Sequence, residues 1–244
     1  MLTPTQDPVK RYRLCYNLEA LERVREAIGE SAYSRLRELV LFRLEGRDFE
    51  RTPTDAKVAV AFSAGSDSTA TLKILRWAGF DVVPVTAKLP QMGEKTLQKV
   101  RSENAVLVEV PGYEETMREL IEKGAPICGR CHSMVMEAVE RKARELGVRI
   151  LATGDMLSSG LISIYEKNGI VILNFPAFLA LDKGEIIEII GPYRLSFGCP
   201  LLWELFRRAP STKRLAIQRI LRETRARALS PEMAVELMRD VLLR

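Results

Sequence analysis

The stretch Ala61-Phe62-Ser63-Ala64-Gly65-Ser66-Asp67-Ser68-Thr69 decides the fold of this chain. It follows the apolar run Val58-Ala59-Val60, which predicts a short buried strand, and it precedes residues 71–77, whose pattern predicts a helix. A strand, a loop of small residues and a helix form an anion site, because backbone N–H groups and the positive end of the helix dipole meet at the loop. Small residues also let the main chain approach a phosphate closely. The sequence therefore predicts a phosphate-binding loop.

The side chains of this loop suit a bound nucleotide. Several hydroxyl groups can donate hydrogen bonds, and Asp67 is an acceptor that can orient the loop or help to hold Mg²⁺. The candidate nucleotide-binding residues of the loop are Ser63, Ala64, Gly65, Ser66, Asp67 and Ser68. The loop is not a kinase-type P-loop, because no Gly-Lys-[Ser/Thr] follows, and it lacks the three-glycine spacing of a dinucleotide fold. The alternative is a Ser/Gly-rich turn without a ligand.

Length and composition set the class of protein. The chain has 244 residues, enough for one large domain with appendages or two small ones. Hydrophobic residues make up 47% and charged residues 28%, which excludes disordered and fibrous proteins. The longest uncharged run, residues 168–181, is shorter than the ~20 residues of a membrane span. No signal segment is recognisable at the start, so we expect a cytoplasmic protein without a membrane partner.

The pattern of the chain predicts three segments. Residues 1–52 form a helical N-terminal extension, residues 53–200 an ATP-binding catalytic domain, and residues 201–244 a basic helical C-terminal segment. The last segment carries ten Lys/Arg against five acidic residues, so it forms either a solvated surface or a contact surface for RNA phosphates. Cys15, among tyrosines and leucine, is predicted to lie in the core.

The middle segment alternates between strands and helices. The predicted strands are residues 58–60, 82–86, 105–110 and 149–153, and the helices between and after them are residues 94–102, 114–122 and 133–146. Such alternation predicts an α/β fold with an open, mostly parallel sheet and helices on both faces. Ligands of these sheets lie at the carboxyl ends of the strands. We therefore expect the loop, Thr86-Ala87 and Gly154-Asp155 at one rim.

Two hairpins are predicted after this sheet. Residues 161–165 and 170–175 flank Lys167-Asn168-Gly169, and residues 178–181 and 185–190 flank Asp182-Lys183-Gly184.

A second informative stretch is Cys128-Gly129-Arg130-Cys131-His132, predicted as a loop before a helix. A Cys-x-x-Cys pair can bring two thiolates to one metal, and Cys199, in a Gly-Cys-Pro turn, is the candidate third ligand. Four readings stay open: an iron–sulfur cluster with one open iron, a structural zinc with His132, a redox dithiol, and a haem c attachment site. The last is disfavoured by the expected cytoplasmic location. His132 is more typical of a helix start than of a ligand.

The loop resembles the Ser-x-Gly-x-Asp-Ser signature of the PP-loop ATP pyrophosphatases, with Ala64 at a position where those proteins often have a second glycine. Together with the Cys-x-x-Cys pair, the run from Ala152 to Asp155 and the distal Cys199, residues 55–205 resemble the iron–sulfur-dependent tRNA thiolation enzymes, the 2-thiouridine and 2-thiocytidine synthetases. The resemblance implies the adenine nucleotide α-hydrolase-like fold. It also implies that ATP adenylates the carbonyl oxygen of a tRNA base and that sulfur then displaces AMP.

The resemblance also assigns roles to residues. Cys128, Cys131 and Cys199 would hold a 4Fe-4S cluster, and Gly154 would lie beside the α-phosphate. Where the family usually reads Thr-Gly-His-Asn followed by two aspartates, this chain has Asp155 and then Met-Leu-Ser-Ser. Asp155 is thus the one candidate for the acidic role, beside Asp67 in the loop.

The resulting hypothesis is an AMP-forming, ATP-dependent sulfurtransferase whose catalytic residues are Asp67, Asp155 and the three cysteines. It implies ATP, Mg²⁺ and a 4Fe-4S cluster as cofactors, tRNA or another RNA and a sulfide or sulfur-carrier donor as partners, and a homodimer as an option. A cluster-free variant uses Cys131 and Cys199 as a persulfide pair. The alternatives are a PP-loop ligase or amidotransferase that acts on a small molecule and holds a structural Zn²⁺, and a catalytically altered RNA-binding protein.

Overall fold

A six-stranded sheet lies at the centre of the computed structural model, in the part of the chain that it describes, residues 2–157 and 162–243. The strands are β1 (Lys57–Ala61), β2 (Asp81–Lys88), β3 (Val106–Glu109), β4 (Ile150–Thr153), β5 (Ile164–Lys167) and β6 (Ile170–Asn174). Their order is β3-β2-β1-β4-β6-β5, and every neighbouring pair is parallel except β5 and β6. Strands β2 and β3 therefore lie on one side of β1, and β4, β6 and β5 lie on the other. The strand order reverses between β1 and β4.

Helices cover both faces of this sheet. They are α1 (Pro8–Arg23), α2 (Arg25–Ile28), α3 (Glu30–Glu45), α4 (Ser66–Trp77), α5 (Glu94–Ser102), α6 (Tyr113–Glu122), α7 (Cys128–Glu145), α8 (Phe175–Phe178), α9 (Lys183–Ile190), α10 (Pro200–Arg208), α11 (Lys213–Arg225) and α12 (Pro231–Leu243). Val58 and Val60 pack toward α1, α3 and α4, whereas Ala59 packs toward α7. Burial on both faces explains why β1 is a continuous apolar run. The predicted α/β fold class is confirmed.

The first predicted hairpin is confirmed and the second is wrong. Strands β5 and β6 pair around Asn168 and Gly169, both with positive φ, as a tight turn requires. Residues 178–190 instead contain the end of α8 and the whole of α9. Asp182 accepts a hydrogen bond from the Glu185 backbone N–H at 2.9 Å, and the Glu185 carboxylate accepts one from the Asp182 N–H at 3.0 Å. This capping box starts a helix where the Asp-Lys-Gly sequence suggested a turn.

Two further expectations need correction. The Cys-x-x-Cys pair does not lie in a loop, because α7 begins at Cys128 and both thiols belong to its first turns. Cys15 is exposed rather than in the core, since α1 directs Leu14 and Leu21 inward instead.

The N-terminal helices share one hydrophobic core with the sheet. Leu14, Leu36 and Leu39 are fully buried in the same core as Val58 and Leu72. The N-terminal helices are therefore part of the packing of the sheet. The boundaries of the three predicted segments stay a prediction.

Arg43 of α3 joins the N-terminal helices to the start of α9. Its side chain is 0% exposed, and it donates hydrogen bonds to the Leu179 carbonyl at 3.2 Å and to the Glu185 carboxylate at 2.9 Å. Lys10 of α1 forms ion pairs with both Asp182 and Glu185. A buried arginine is tolerable only when its donors are satisfied in this way. The network therefore fixes where α9 begins.

The C-terminal helices form a second core with the other side of the domain. Leu205 and Phe206 of α10 and Ile220 of α11 pack with Met117 of α6 and Met134 of α7. Among the helices in the described ranges, none has the length and apolar character needed to cross a membrane.

Candidate functional site

The loop between β1 and α4, residues 62–65, closes on itself through hydroxyl groups. The Ser63 backbone N–H donates to Ser68 Oγ at 3.3 Å, and the hydroxyl groups of Ser63 and Ser68 lie 3.2 Å apart. Ala64 has a positive φ of 58°, and Gly65 is the extended residue before the first turn of α4. The first N–H groups of a helix have no intrahelical acceptor. They therefore present an electropositive surface at the start of α4, as the sequence predicted.

Gly154, after β4, lies directly against this helix start. A Cβ atom at Gly154 would be 2.8 Å from the Ser68 backbone nitrogen and 3.2 Å from the Asp67 Cβ. Strands β1 and β4 are neighbours at the point where the strand order reverses, which is the usual ligand crevice of such sheets. The structure thus brings Gly154 and the loop together at the rim.

Replacing Gly154 by alanine is expected to displace the start of α4, because the new methyl group overlaps backbone atoms that cannot rotate away. We expect a loss of about 1–3 kcal/mol in the free energy of unfolding and a roughly tenfold or larger loss of ATP affinity. Thermal unfolding and ATP titration measure the two effects. Gly93→Ala is the control, because a Cβ there has no atom within 4 Å; an unaltered ATP affinity in Gly154→Ala would contradict the close approach.

Thr86 and Ala87 lie inside β2 rather than after it, because β2 continues to Lys88. Thr86 is buried, and its hydroxyl donates to the Phe62 carbonyl at 2.6 Å. It therefore supports the β1–α4 loop from within the sheet. Ala87 is buried among the residues packed beneath α7, on the opposite face. Nucleotide contact by these two residues stays a prediction.

Two lysines that the sequence reading missed also contact the loop region. Lys183, the first residue of α9, is only 9% exposed, forms an ion pair with Asp67 Oδ1, and donates to Ser66 Oγ at 3.2 Å. Lys99 of α5 donates to the Ala64 carbonyl at 3.0 Å and to Thr69 Oγ1 at 2.9 Å. Desolvation lowers the pKa of Lys99. Two ammonium groups beside a helix start make this end of the sheet suited to an anion.

A small polar cluster follows β4. The Thr153 hydroxyl lies 2.9 Å from Asp155 Oδ2 and 3.2 Å from Asn174 Oδ1, and the Asp155 backbone N–H donates to the Thr153 hydroxyl. These contacts hold Asp155 at the rim next to Gly154, where the sequence predicted it. Asn174, at the end of β6, is a further polar residue of this rim that the sequence reading missed. Ser158, Ser159 and Leu161 lie outside the described residues.

The three candidate cysteines all lie at helix starts. Cys128 and Cys131 belong to the beginning of α7, and Cys199 is the residue immediately before α10. Desolvation raises the pKa of both Cys128 and Cys131, and the charge of Cys199 raises each of them further. Cys128 and Cys131 are one turn apart on α7, and Cys131 and Cys199 pack against the same hydrophobic core. We call these three cysteines the thiol site.

The thiol site has the donors of a metal centre. Three thiols are the ligand set of an iron–sulfur cluster with one open iron, and two or three of them suit zinc. Within residues 2–157 and 162–243, no three His, Cys, Asp or Glu side chains are gathered at the geometry of a bound metal ion. His132 is exposed in α7, one residue after Cys131. The three thiols therefore suit an iron–sulfur cluster or zinc by their donor chemistry, while the described side chains are not gathered at ligand distances.

Tyr113 of α6 tunes one of these thiols. Its hydroxyl lies 3.1 Å from Cys131 Sγ, and this hydrogen bond lowers the pKa of Cys131 against the larger upward effect of desolvation. Desolvation and the Cys131 contact raise the pKa of Tyr113 itself, so its hydroxyl stays protonated and can donate.

Tyr113→Phe is therefore expected to raise the pKa of Cys131 further and to slow its alkylation. Alkylation needs the thiolate, so its rate should rise with pH in a higher range than for an ordinary cysteine. The variant should shift that rise to still higher pH, because the thiolate loses a hydrogen bond. Iodoacetamide labelling of the metal-free protein, read cysteine by cysteine in a mass spectrometer, measures it. Cys15, exposed on α1, is the internal control; an unshifted profile at Cys131 would contradict the contact.

One arginine of the C-terminal segment, Arg219 of α11, lines a cavity together with Cys128. Its side chain is exposed but partly desolvated, which by itself would lower its pKa. The hydrogen bond and charge of Glu223 and the charges of Cys128 and Asp155 outweigh this effect and raise the pKa. The Arg219 Nε–Glu223 Oε1 distance is 2.8 Å. Helix α11 of the basic C-terminal segment therefore lies beside the thiol site.

A mostly parallel sheet with a Ser-x-Gly-x-Asp-Ser loop at the point of strand reversal defines a PP-loop α/β protein, similar to the PP-loop tRNA thiolation enzymes. No protein-family model matches the chain. The uncharacterized protein MJ1638 of Methanocaldococcus jannaschii is 31% identical over an alignment of 248 positions. The alignment covers 96% of this chain and 94% of that protein. The chain belongs to the same family as MJ1638.

Two kinds of tRNA-acting relatives match part of the chain. The "probable tRNA sulfurtransferase" of Thermococcus kodakarensis is 30% identical over 59% of this chain and 43% of its own length. The tRNA-specific 2-thiouridylase MnmA of Bradyrhizobium diazoefficiens is 31% identical over 48% of this chain and 36% of its own length. The matches thus span less than half of these relatives. The phosphoadenylyl-sulfate reductase of Candida auris superposes with a TM-score of 0.41 and 17% identity, covering 71% of this chain and 87% of that one.

Proposed function

We propose that this protein is an ATP-dependent, AMP-forming sulfurtransferase that thiolates a tRNA base. The observation that carries the proposal is the proximity of two dissimilar sites. Leu89 and Val110, which directly follow the carboxyl ends of β2 and β3, pack in the same core as Cys131 and Cys199. The β1–α4 loop follows the carboxyl end of β1, which is parallel to β2. An anion site and a set of thiols at one rim suit a reaction that needs both a nucleotide and sulfur. The relatives named as tRNA sulfurtransferase and 2-thiouridylase support tRNA as the acceptor.

The first half of the reaction would use the rim around the β1–α4 loop. A base carbonyl oxygen attacks the α-phosphorus of ATP, the bond from that phosphorus to the bridging oxygen breaks, and pyrophosphate leaves. The N–H groups at the start of α4, together with Lys183 and Lys99, would neutralise the charge that builds on pyrophosphate. Asp67 would give up its ion pair with Lys183 to help hold Mg²⁺, which leaves the ammonium group available to phosphate.

The second half would use the thiol site. Hydrosulfide forms a bond to the activated carbon, the carbon–oxygen bond breaks, AMP leaves with the oxygen, and one proton passes to solvent. A 4Fe-4S cluster held by Cys128, Cys131 and Cys199 would supply a site that binds and orients this sulfur. In that arrangement the three cysteines act as ligands and none of them needs to become a persulfide.

The test is a thiolation assay with the full chain, purified without oxygen and analysed for iron, zinc and acid-labile sulfide. Unmodified tRNA, ATP, Mg²⁺ and sulfide are expected to give AMP and one thionucleoside in equal amounts, measured by chromatography and mass spectrometry. Asp67→Asn is expected to abolish both products. AMP formation that does not depend on tRNA would contradict the proposal and favour a small-molecule ligase. A colourless, active protein with stoichiometric zinc would rule out the cluster.

A further inference from the structure

A cavity of about 360 Å³ lies between the beginning of α7 and the helices α10 and α11. Its walls are apolar and include Ile127, Leu202, Leu205, Phe206 and Ala216. A volume of this size is at the lower end of the ~300–1,000 Å³ that small-ligand sites occupy. Such a volume can hold one planar ring system with its sugar.

Polar groups join this apolar lining at specific places. They include Cys128 from the thiol site, Thr212, and three side chains of α11, Gln218, Arg219 and Arg222. Both arginines are exposed to solvent, so a large anion can reach them. Apolar walls beside two guanidinium groups are the combination that binds an unpaired nucleobase and its phosphate, because the ring takes the dry surface and each guanidinium can bond to phosphate oxygens.

The position of the cavity matters as much as its lining. Cys128 belongs both to the cavity and to the thiol site. Leu89 and Val110, which directly follow the carboxyl ends of β2 and β3, pack in the same core as the other two thiols. A ring bound in the cavity therefore lies beside the thiol site, at the same end of the sheet as the β1–α4 loop. A base that is first adenylated and then thiolated must occupy such a place.

We propose that this cavity receives the acceptor base of the RNA substrate, flipped out of its stack, while Arg222 and Arg219 bind the phosphate next to it. The proposal rests on the thiolation function above and adds where and how the acceptor is bound. It also assigns a role to the C-terminal segment, because α10 and α11 build most of the cavity.

The test measures binding alone, without ATP or sulfide. A fluorescein-labelled single-stranded 12-mer RNA is titrated with the full chain at several salt concentrations, and anisotropy gives the affinity. Gly129→Trp should block the cavity with little cost to folding, because a Cβ at Gly129 meets no atom within 4 Å. We expect it to weaken binding roughly tenfold or more, the effect of losing one stacked base. Gly93→Trp, equally unhindered and remote from the cavity, is the matched control.

Two further measurements distinguish recognition of the base from recognition of the phosphate. Arg222→Ala is expected to weaken binding and to lower the salt slope by about one, whereas Arg225→Ala, an exposed arginine of the same helix outside the cavity, should change the affinity less than about twofold. A 12-mer of abasic sugars should bind the parent protein as weakly as the intact RNA binds Gly129→Trp. Equal binding of abasic and intact RNA would overturn the base pocket, and so would parental affinity in both Gly129→Trp and Arg222→Ala.

The same data separate this proposal from the function on which it rests. If the parent protein thiolates tRNA but the cavity variants bind RNA normally, the pocket is wrong and the function stands. If binding depends on the cavity but no thionucleoside forms, the pocket stands and the reaction is wrong.

Discussion

Lys183→Met is expected to lower ATP-dependent AMP formation by roughly 10²–10³-fold, the usual cost of removing one charge-stabilising donor from an active site. Lys183 is nearly buried and forms an ion pair with Asp67 while it donates to Ser66. Methionine keeps an unbranched apolar stem but lacks the ammonium group, and so removes the charge on which the leaving pyrophosphate would depend. Initial rates of AMP release with saturating tRNA measure the effect.

The matched control is Lys73→Met. Lys73 is an exposed lysine of α4 that donates only to the Ile190 carbonyl among the described contacts, at 3.3 Å. It shares the helix of the β1–α4 loop without touching the loop, so its variant should keep its rate. The unfolding temperature of both variants is measured as a control for stability. We expect only a small change in Lys183→Met, because Asp67 is partly exposed and water can solvate it when its partner is lost. A Lys183→Met variant with parental rate would show that the ammonium group has no part in the chemistry.

Replacing any one of Cys128, Cys131 and Cys199 by serine is expected to reduce tRNA thiolation by roughly 10³-fold or more, because groups that act as a unit fail together. ATP binding should persist, since the β1–α4 loop and its lysines do not include these residues. Thionucleoside yield and ATP affinity are measured on the same preparations.

Cys15→Ser is the control for the thiol variants. Cys15 is exposed on α1, far along the chain from the thiol site, and its loss should leave the thionucleoside yield unchanged. The pattern among the three test variants also distinguishes two mechanisms. A shared cluster requires Cys128 as much as the other two, whereas a persulfide pair formed by Cys131 and Cys199 does not. Full activity in Cys199→Ser would contradict both.

The α/β architecture could be predicted because its signals are local. Each strand of the parallel sheet is a short apolar run, and each helix between them has its own periodicity, so β1, β2, α5 and β4 lie within a few residues of their predicted ranges. The β1–α4 loop could be predicted because the identity of its small residues and its place between a strand and a helix define it together.

The two lysines of the site were missed for different reasons. The Asp-Lys-Gly sequence between two apolar runs suggested a hairpin, and only the Asp182–Glu185 capping box shows that Lys183 starts a helix. That pattern is visible in the sequence, so closer attention to it would have placed the helix. Lys99 gave no such signal, because it reaches Ala64 and Thr69 only after α5 has packed beside α4.

The hydrogen bond between Arg43 and Glu185 joins residues that are 142 positions apart, and this separation sets an order of events during synthesis. At about 5–20 residues per second, roughly 7–30 s pass on the ribosome between the two residues. Throughout that interval Arg43 lacks its carboxylate. Lys183 is synthesised at the end of the same interval. The contacts of Arg43 and Lys10 with the start of α9 and the ion pair between Lys183 and Asp67 therefore become possible at nearly the same time.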